Sequence, residues 1–398
     1  MHACARIAVF SLTLLVVLVS QIAPSFAPYS PSKIIASSGT IVAAMPKTML
    51  KHLVVYPYSF TSESASFVAS HFDIVAFDFS ATKNYQLIKA ANPNVIMIAY
   101  VDFMFTNTGS EGWNEVNLHE DWFLHDTNGN RLIGSGSSFI GYAMDVGNSG
   151  WRSHYANYVK AKLEANPTAD GIFADNVWEW YDYRSDSFTV PRSLVPTEIQ
   201  QRWHNDMIGM LQYVKSVIGN KLLVINSNEY SGDYIKYCDG QMIEGFMHPQ
   251  WNGLYDYSWN NPISDIGILE TLSASGKLVM AQSGANIPQN PSASDIEQTH
   301  KVMLYCLSGF LMGYSGKANF GFQFLHSDYT GQRSYWEEMD APIGTPVGAK
   351  YNIQGSLWAR DFTNGKAYIN ISDNTSYTVS VEGTNYTIPP RSGLIIPT

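Results

Sequence analysis

Two carboxyl side chains, each at the end of a short apolar segment, are the residues in this sequence best suited to chemistry. Asp175 follows the small apolar run 171–174, and Glu244 closes a later segment that begins at residue 240. One carboxyl group kept protonated and a second one ionised can cleave a glycosidic bond, the second acting as nucleophile or as base for a water. We assign Asp175 as nucleophile or stabilising carboxylate and Glu244 as acid/base, with Glu229 as the rival acid.

Polar and aromatic side chains also end or follow most of the other apolar segments. Asp78 and Asp102 are expected to hold sugar hydroxyls or to tune the pKa of the catalytic pair, and Trp178 and Trp180 are candidate platforms for a sugar ring. One or two of these polar residues could instead cap helices. The predicted substrate-binding residues are Asp78, Asp102, Asn176, Trp178, Asn226, Glu229, His248, Trp251, Gln282 and Gln323.

These residues need a scaffold that brings the ends of separate segments together. Short β-type segments alternate with helical patterns, which predicts a parallel sheet. Eight such strands predict a (β/α)8 barrel, or TIM barrel, in which the carboxyl ends of the strands converge on one face. The predicted strands are 52–58, 73–79, 94–103, 171–176, 222–226, 240–247, 277–282 and 318–324, and the predicted helices are 151–165, 197–218, 263–275 and 294–313.

Charge and missing motifs exclude several classes of partner. The net charge is −10 and no basic run occurs, so nucleic acid and anionic membrane surfaces are not expected partners. No Gly-x-Gly-x-x-Gly follows the first strand and no Walker-type lysine motif occurs, so no nucleotide is expected. The histidines lack metal-ligand spacing, and the segment 126–130 lacks the Glu that would complete a calcium loop, because residue 137 is Ser137. We therefore expect no metal and no cofactor.

Three segments carry a resemblance to a known family. They are 120–130 (Glu-Asp-Trp-Phe-Leu-His-Asp-Thr-Asn-Gly-Asn), 144–152 (Met-Asp-Val-Gly-Asn-Ser-Gly-Trp-Arg) and 170–176 (Asp-Gly-Ile-Phe-Ala-Asp-Asn). In this order they resemble the TIM-barrel glycoside hydrolases grouped as hypothetical glycosyl hydrolase family 15, over about 50–395, and more distantly the polygalactosaminidase-type family 114. The resemblance implies an Asp at the end of the fourth strand and a later Glu as the catalytic pair, which correspond here to Asp175 and Glu244. Ala174 departs from the bulkier Leu or Met often found there.

The long irregular section 104–150 has two interpretations. Trp122, Phe123 and His125 could stack on or hydrogen-bond to a sugar, or they could anchor a long loop to the rim of the barrel. Asp145 and Asn148 follow a turn-and-cap pattern before the helix 151–165. The sequence leaves both interpretations of the aromatic residues open.

The N-terminal region reads as an export signal followed by a linker. A nearly continuous apolar run spans 7–19, and Ser25-Phe26-Ala27 offers small residues for cleavage, which predicts a signal peptide over 1–27 and a secreted or cell-surface protein. Because Pro28 is a poor residue for cleavage, the segment could instead remain as a membrane anchor. Residues 28–50 are rich in Ser, Pro and Ala and are expected to form a linker.

The residue composition and pattern change after the predicted catalytic barrel, 51–340. Pro342, Gly344, Pro346 and Gly348 suggest a joint, and five short alternating segments follow, with a hairpin turn signal at 363–365. This pattern predicts a small antiparallel, sandwich-like β-domain over 341–398. At this size the domain is expected to pack on the barrel, and its role is expected to be structural.

Two other functions remain open at this stage. The first is a non-catalytic glycan-binding barrel that keeps the cleft without the paired acids. The second is a metal-assisted lyase or an aldolase, but an aldolase needs a buried lysine on a barrel strand, and Lys277 stands at the start of its strand rather than at the catalytic end. We expect the protein to be a monomer and to bind a carbohydrate substrate.

Overall fold

The computed structural model describes residues 50–54, 61–136, 139–179, 195–258, 261–288, 290–324 and 334–398. The predicted signal peptide, nearly all of the predicted linker and Trp180 lie outside the described residues. Within the part of the chain that is described, no helix is both long and apolar enough to cross a bilayer.

Eight parallel strands close into a barrel, as the alternation of strands and helices predicts. Around the barrel the order is β1-β11-β10-β9-β8-β7-β3-β2, so that β2 returns to β1. The strands β4, β5 and β6 are not part of it. In chain order the strands are β1 (Leu50–Val54), β2 (Ile74–Asp78), β3 (Ile96–Asp102), β4 (Phe105–Thr106), β5 (Ile133–Gly136), β6 (Phe139–Ala143), β7 (Gly171–Asp175), β8 (Leu222–Asn226), β9 (Gly240–Glu244), β10 (Leu278–Ala285) and β11 (Ala318–Phe324).

Helices alternate with the barrel strands, and several begin at side chains that cap them. The Asn148 side chain accepts hydrogen bonds from the Gly150 and Trp151 amides, as the turn-and-cap pattern predicts. Ser292 and Asp295 form a capping box at a later helix. The helices are α1 (Ser62–His71), α2 (Thr82–Ala91), α3 (Trp113–Val116), α4 (Ser149–Ala165), α5 (Thr197–Ile218), α6 (Pro262–Ser273) and α7 (Ala293–Gly313).

The inside of the barrel is polar at the carboxyl ends of the strands. Below that level, toward the amino ends of the strands, lies an apolar lower part. The lower part is a cluster of inward-pointing residues that includes Ile98, Phe173 and Met242, and burial of each contributes about 1.5–3 kcal/mol. Side chains two residues apart on a strand share a face. The rows that contain Phe173 and Met242 therefore continue to Asp175 and Glu244, which puts both carboxyl groups at the mouth of the barrel.

The section between β3 and α4 folds into a small antiparallel sheet, β4-β6-β5, at the rim of the barrel. Trp122 and Phe123 are buried, and Phe123 pairs with Met144 in an isolated β-bridge. Of the two interpretations of these aromatic residues, the anchor is the one that their burial supports. The His125 imidazole contacts the Glu120 carboxylate, which also binds Arg131.

The C-terminal region is a pair of antiparallel sheets, and the four-stranded one packs on α7. The predicted joint is partly wrong: Pro346 starts an edge strand, where its missing N–H is tolerated, and an irregular register between Val347 and Tyr351 accommodates the glycine Gly348. The sheets have the orders β12-β13-β14-β17 and β15-β16. The strands are β12 (Pro346–Gln354), β13 (Leu357–Phe362), β14 (Gly365–Asn370), β15 (Tyr377–Val381), β16 (Thr384–Ile388) and β17 (Ser392–Pro397).

Close packing joins this region to the barrel. A Cβ atom on Gly393 would lie 2.3 Å from the Leu304 carbonyl oxygen of α7, so the backbone of β17 approaches the helix directly. The Arg360 guanidinium donates to the carbonyls of Leu311, Met312 and Tyr314 at the end of α7, at 3.0, 3.2 and 2.7 Å. These contacts satisfy helix-end carbonyls that would otherwise lack partners.

Candidate active site

One amide group links the two carboxyl groups predicted to be catalytic. Nδ2 of Asn226, at the end of β8, donates to Oδ1 of Asp175 at 2.9 Å and to Oε2 of Glu244 at 2.8 Å. Because both oxygens lie within 2.9 Å of one nitrogen, they are separated by less than twice that distance. The strand order explains this geometry, since β8 lies between β7 and β9.

Asp175 has two further donors. The Tyr100 hydroxyl donates to Oδ2 at 2.9 Å, and the backbone N–H of Asn176 donates to Oδ1 at 2.9 Å. Asn176 has a φ of 61°, a left-handed conformation that is uncommon for a residue other than glycine. Its side chain donates to Oδ2 of Asp102 at 2.8 Å. Asn176 therefore connects the carboxyl groups of Asp102 and Asp175.

Glu244 has a second donor on the loop that follows β9. Nε2 of Gln250 donates to Oε1 of Glu244 at 2.9 Å. Hydrogen bonds fasten this loop to β10, among them Phe246 N–H to Gln282 O at 2.9 Å and Gly284 N–H to His248 O at 2.8 Å. The loop thus holds the amide of Gln250 against the carboxyl group of Glu244.

The surroundings of the two carboxyl groups separate their tendencies to ionise. Burial raises the pKa of both, but donors from Tyr100, Asn226 and Asn176 oppose that rise at Asp175. The pKa of Glu244 is raised further by the negative charge of Asp175, and only Asn226 and Gln250 oppose it. The hydrogen bonds therefore favour the ionised form of Asp175, and the charge of Asp175 favours the protonated form of Glu244, which is the direction of difference that an acid/base pair requires.

Asp102 is a third carboxyl group at the same end of the barrel. Its Oδ1 accepts the N–H groups of Met104 at 3.1 Å and Phe105 at 2.8 Å. Burial, and then the negative charge of Asp175, raise the pKa of Asp102 to about 8. Asp102 is therefore protonated near neutrality, and it does not add a second negative charge beside Asp175.

The other predicted polar residues occupy different levels of the barrel. Asp78 accepts the Ser80 N–H at 2.7 Å, so it caps the short turn after β2 while remaining at the rim. Gln282 is buried, and its Oε1 lies 2.7 Å from Nε2 of His52. Gln323 pairs in register with Gly284, which places it in an inward-pointing row of β11.

Two predicted residues do not reach the cleft. The Glu229 carboxylate is buried and accepts hydrogen bonds from Ser231, Asp233 and Tyr234, so it organises its own loop and is not available as the rival acid. The His248 side chain is fully buried and its Nδ1 donates to Gly284 O at 2.7 Å. Because the hydrogen bonds of Glu229 turn inward and His248 is enclosed, neither can contact a substrate directly.

The predicted aromatic residues differ in exposure. Trp251 is 40% exposed. Its ring packs over Gly245, close enough that a Cβ atom built on this glycine would lie 3.4 Å from the ring, in van der Waals contact. It therefore stands at the surface beside Glu244. Trp178 is half-buried and packs edge-on against Phe105, with the ring centroids 5.4 Å apart.

Sequence reasoning missed Tyr100 and Gln250. Tyr100 lies two residues before Asp102 on β3, so the same period of two that placed Asp102 could have placed Tyr100 on the inner face. Gln250 lies six residues beyond the end of β9, and no local pattern marks it. Among the described residues, no group of three or more His, Cys, Asp or Glu side chains could hold a metal ion.

Comparison with known proteins agrees with the fold and with the resemblance in the sequence. Residues 89–366 match the family described as hypothetical glycosyl hydrolase family 15. No curated protein matches the chain. Among solved structures, the GH31 dextranase of Flavobacterium johnsoniae complexed with glucose is 10% identical, with a TM-score of 0.53, and the match covers 88% of this chain and 52% of that one. This similarity supports the barrel fold.

Two other glycoside hydrolase structures also match. The glycoside hydrolase domain of PelA from Pseudomonas aeruginosa is 13% identical, with a TM-score of 0.46, over 72% of this chain and 97% of that chain. Ega3 from Aspergillus fumigatus, in complex with galactosamine, is 11% identical, with a TM-score of 0.43, over 74% and 97%.

Proposed function

The chain belongs to hypothetical glycosyl hydrolase family 15, and on that premise we propose that it hydrolyses O-glycosidic bonds of an extracellular poly- or oligosaccharide. The observation that carries the proposal is the amide of Asn226, which donates to Asp175 and to Glu244 at once. Two carboxyl groups held this close, with different tendencies to ionise, suit glycoside hydrolysis and have no evident structural purpose.

The first half of the reaction uses both groups. The Glu244 carboxyl donates its proton to the glycosidic oxygen as the bond to the anomeric carbon breaks. The ionised Asp175 attacks that carbon and forms a covalent glycosyl-enzyme ester. Tyr100 and Asn226 hold the Asp175 carboxylate in place while its charge is transferred to the new bond.

In the second half, Glu244, now ionised, removes a proton from a water that attacks the anomeric carbon and releases Asp175. The product keeps the configuration of the substrate. The spacing supports this retaining course, because the nearest carboxyl oxygens are less than about 6 Å apart, and inverting enzymes leave about 6.5–9.5 Å between the carboxyl groups for a water.

The location and the state of assembly are further parts of the proposal. The predicted N-terminal export signal supports action at the cell surface or outside the cell. We propose that the protein works as a monomer, without metal or cofactor, because the mechanism assigned to Asp175 and Glu244 needs neither. The C-terminal sheets, 341–398, then act as a support for the barrel.

A screen of polysaccharides with detection of new reducing ends tests the proposal. On a substrate that the wild type cleaves, Glu244→Gln should lower kcat by about 10²–10⁴-fold, and Asp175→Asn should abolish measurable turnover. Glu164→Gln, a matched change at an exposed helix position, should have no effect. Full turnover in both active-site variants would contradict the assignment. Binding of a glycan without any cleavage would instead favour the non-catalytic glycan-binding barrel.

A further inference from the structure

A cavity of about 410 Å³ lies beside the carboxyl ends of β2 and β3. Its inner end is lined by Asp78, Tyr100 and Asp102, and its outer wall is α4, through Tyr158 and Lys162. This volume lies within the range of small-molecule sites, about 300–1,000 Å³. Hydroxyl, carboxyl and aromatic groups together are the lining that a polyhydroxylated ring would need.

Tyr100 connects the cavity to the catalytic pair. The residue lines the cavity, and its hydroxyl donates to Oδ2 of Asp175 at 2.9 Å. Asp102 makes a second connection, because it also lines the cavity and accepts a hydrogen bond from Asn176 at 2.8 Å. A group bound in the cavity is therefore one residue away from the nucleophile.

The order of the strands gives the cavity a direction relative to the bond that is cleaved. β3 adjoins β7 on one side, while β8 and then β9 follow on the other, so the cavity and Glu244 lie on opposite sides of Asp175. The proton donor stands on the side of the leaving group. The cavity consequently lies on the side of the glycone, the part of the substrate that is transferred to Asp175.

The charges of the lining disfavour an anionic ligand. Asp78 and Glu111 contribute carboxylates, whereas Asp102, whose pKa is raised to about 8, is protonated near neutrality and adds no charge. The ammonium of Lys162 is ion-paired with Glu111, so its positive charge is already compensated. His154, also in the lining, lies 3.6 Å from Glu115 and adds no counter-charge to the inner end. Because Glu111 and Lys162 compensate each other, a carboxylate brought to the inner end of this cavity would meet the uncompensated negative charge of Asp78.

We propose that this cavity is the glycone subsite adjacent to the sugar held over Asp175, and that it takes an uncharged sugar unit and excludes a uronic acid. This inference rests on the proposed glycosidase function. It adds a binding site on the side of the cleft away from Glu244 and assigns the class of sugar that the site accepts.

Blocking the outer end of the cavity tests its occupancy. Ala165 is exposed, lines the cavity and is the last residue of α4, so Ala165→Phe adds a ring to the cavity without disturbing the core. On a polysaccharide that the wild type cleaves, this variant should raise KM by about tenfold or more with little change in kcat. The matched control is Ala91→Phe, at the exposed last residue of α2 and outside the cavity lining. An unchanged KM in Ala165→Phe overturns the proposal.

Oxidation of the substrate tests the charge preference. The same polysaccharide, with its primary hydroxyls oxidised to carboxylates, should be cleaved with kcat/KM lowered by about 100-fold or more, because each glycone unit then carries a negative charge. Glu111→Gln removes the partner of Lys162 and should reduce the difference in kcat/KM between the neutral and the oxidised polysaccharide by about tenfold. Equal kcat/KM on the two polymers contradicts the preference for uncharged sugars.

If the wild type cleaves no polysaccharide, the glycosidase proposal fails, and the cavity is then tested by binding alone. Saturation-transfer NMR with methyl glycosides of neutral hexoses, and of the corresponding hexuronic acids, gives the readout. Signals from the hexosides should be present in the wild type and in Ala91→Phe and absent in Ala165→Phe. Persistent signals in Ala165→Phe, or equal signals from the hexuronides, overturn the subsite.

Discussion

At the scale of residues, the site is organised by amide groups whose hydrogen bonds favour ionisation of one carboxyl group over that of its neighbours. Asn226 shares its two N–H donors between Asp175 and Glu244, and Asn176 joins Asp175 to Asp102. These amides stabilise the ionised form of Asp175. Burial raises the pKa of Asp102 and of Glu244, and the negative charge of Asp175 raises each pKa further.

The pH dependence of stability follows from Asp102. Its pKa in the folded protein is raised to about 8, above its value in the unfolded chain of about 3.9, so the folded state binds more protons between these two values. Stability should therefore fall as pH rises from about 4 to about 8. In Asp102→Asn this contribution is absent, and Tm should fall less between pH 5 and pH 8 than in the wild type.

Thermal unfolding at several pH values, followed by circular dichroism, measures this difference in slope. Asp121→Asn, a change at an exposed carboxylate, is the control and should follow the wild type. If Asp102→Asn loses as much Tm as the wild type over this range, then Asp102 does not carry the raised pKa.

At the scale of elements, the loop after β9 depends on its close approach to β10. A Cβ on Gly284 would lie 2.2 Å from the Gln323 carbonyl oxygen and 2.7 Å from Cβ of Gln250. Only glycine leaves space for the loop to hold Gln250 against Glu244. His248 fastens the same loop through its bond to Gly284 O, which explains a buried histidine near the site.

Gly284→Ala should therefore affect both stability and activity. Overpacking at this position should lower the free energy of unfolding by about 1–3 kcal/mol and displace Gln250. Losing that donor should raise the pKa of Glu244 further, so the alkaline limb of the kcat profile should move to higher pH. Gly253→Ala, in the same loop with open space around it, is the matched control. Equal urea unfolding and an unmoved pH limb in Gly284→Ala would show that the contact is dispensable.

The elements that could be predicted are those with a strong local pattern. Strands such as β8 (Leu222–Asn226) and helices such as α5 (Thr197–Ile218) match the predicted 222–226 and 197–218, since an apolar run or a helical period marks each one. The sequence did not predict β12, because its proline and glycine were interpreted as a joint. In the structure Pro346 starts an edge strand and Gly348 interrupts its register. Gln250 could not be predicted because its role depends on contacts between loops.

The roles within the site were predictable to different degrees. The position of Asp175 and Glu244 at one end of the barrel follows from period and strand order alone. In the sequence, Glu229 resembles a catalytic acid as much as Glu244 does. It is excluded as the acid only by the hydrogen bonds that its carboxylate accepts from Ser231 and Asp233. Composition identifies groups that can ionise, whereas their partners decide which of them faces a substrate.

At the scale of the whole molecule, the C-terminal sheets and the barrel share an interface on α7. Arg360→Ala should leave the carbonyls of Leu311, Met312 and Tyr314 without their donor and lower the free energy of unfolding by about 1–3 kcal/mol. The value of kcat should not change, because Arg360 makes no contact with the site residues described above. Urea unfolding of Arg360→Ala, beside Arg360→Lys as a partial replacement, measures the effect. Unchanged stability in Arg360→Ala would mean that the sheets contribute little to the barrel.

The identity of the nucleophile is the central claim, and a trapped intermediate tests it most directly. Glu244→Gln should be incubated with an aryl glycoside of the sugar identified in the screen, because a good leaving group needs no acid, while release from Asp175 still needs the missing base. Mass spectrometry should then find the protein heavier by one glycosyl unit, carried on Asp175 within the 171–175 segment. An adduct on another residue, or aryl release through repeated turnovers with no adduct, would contradict the account.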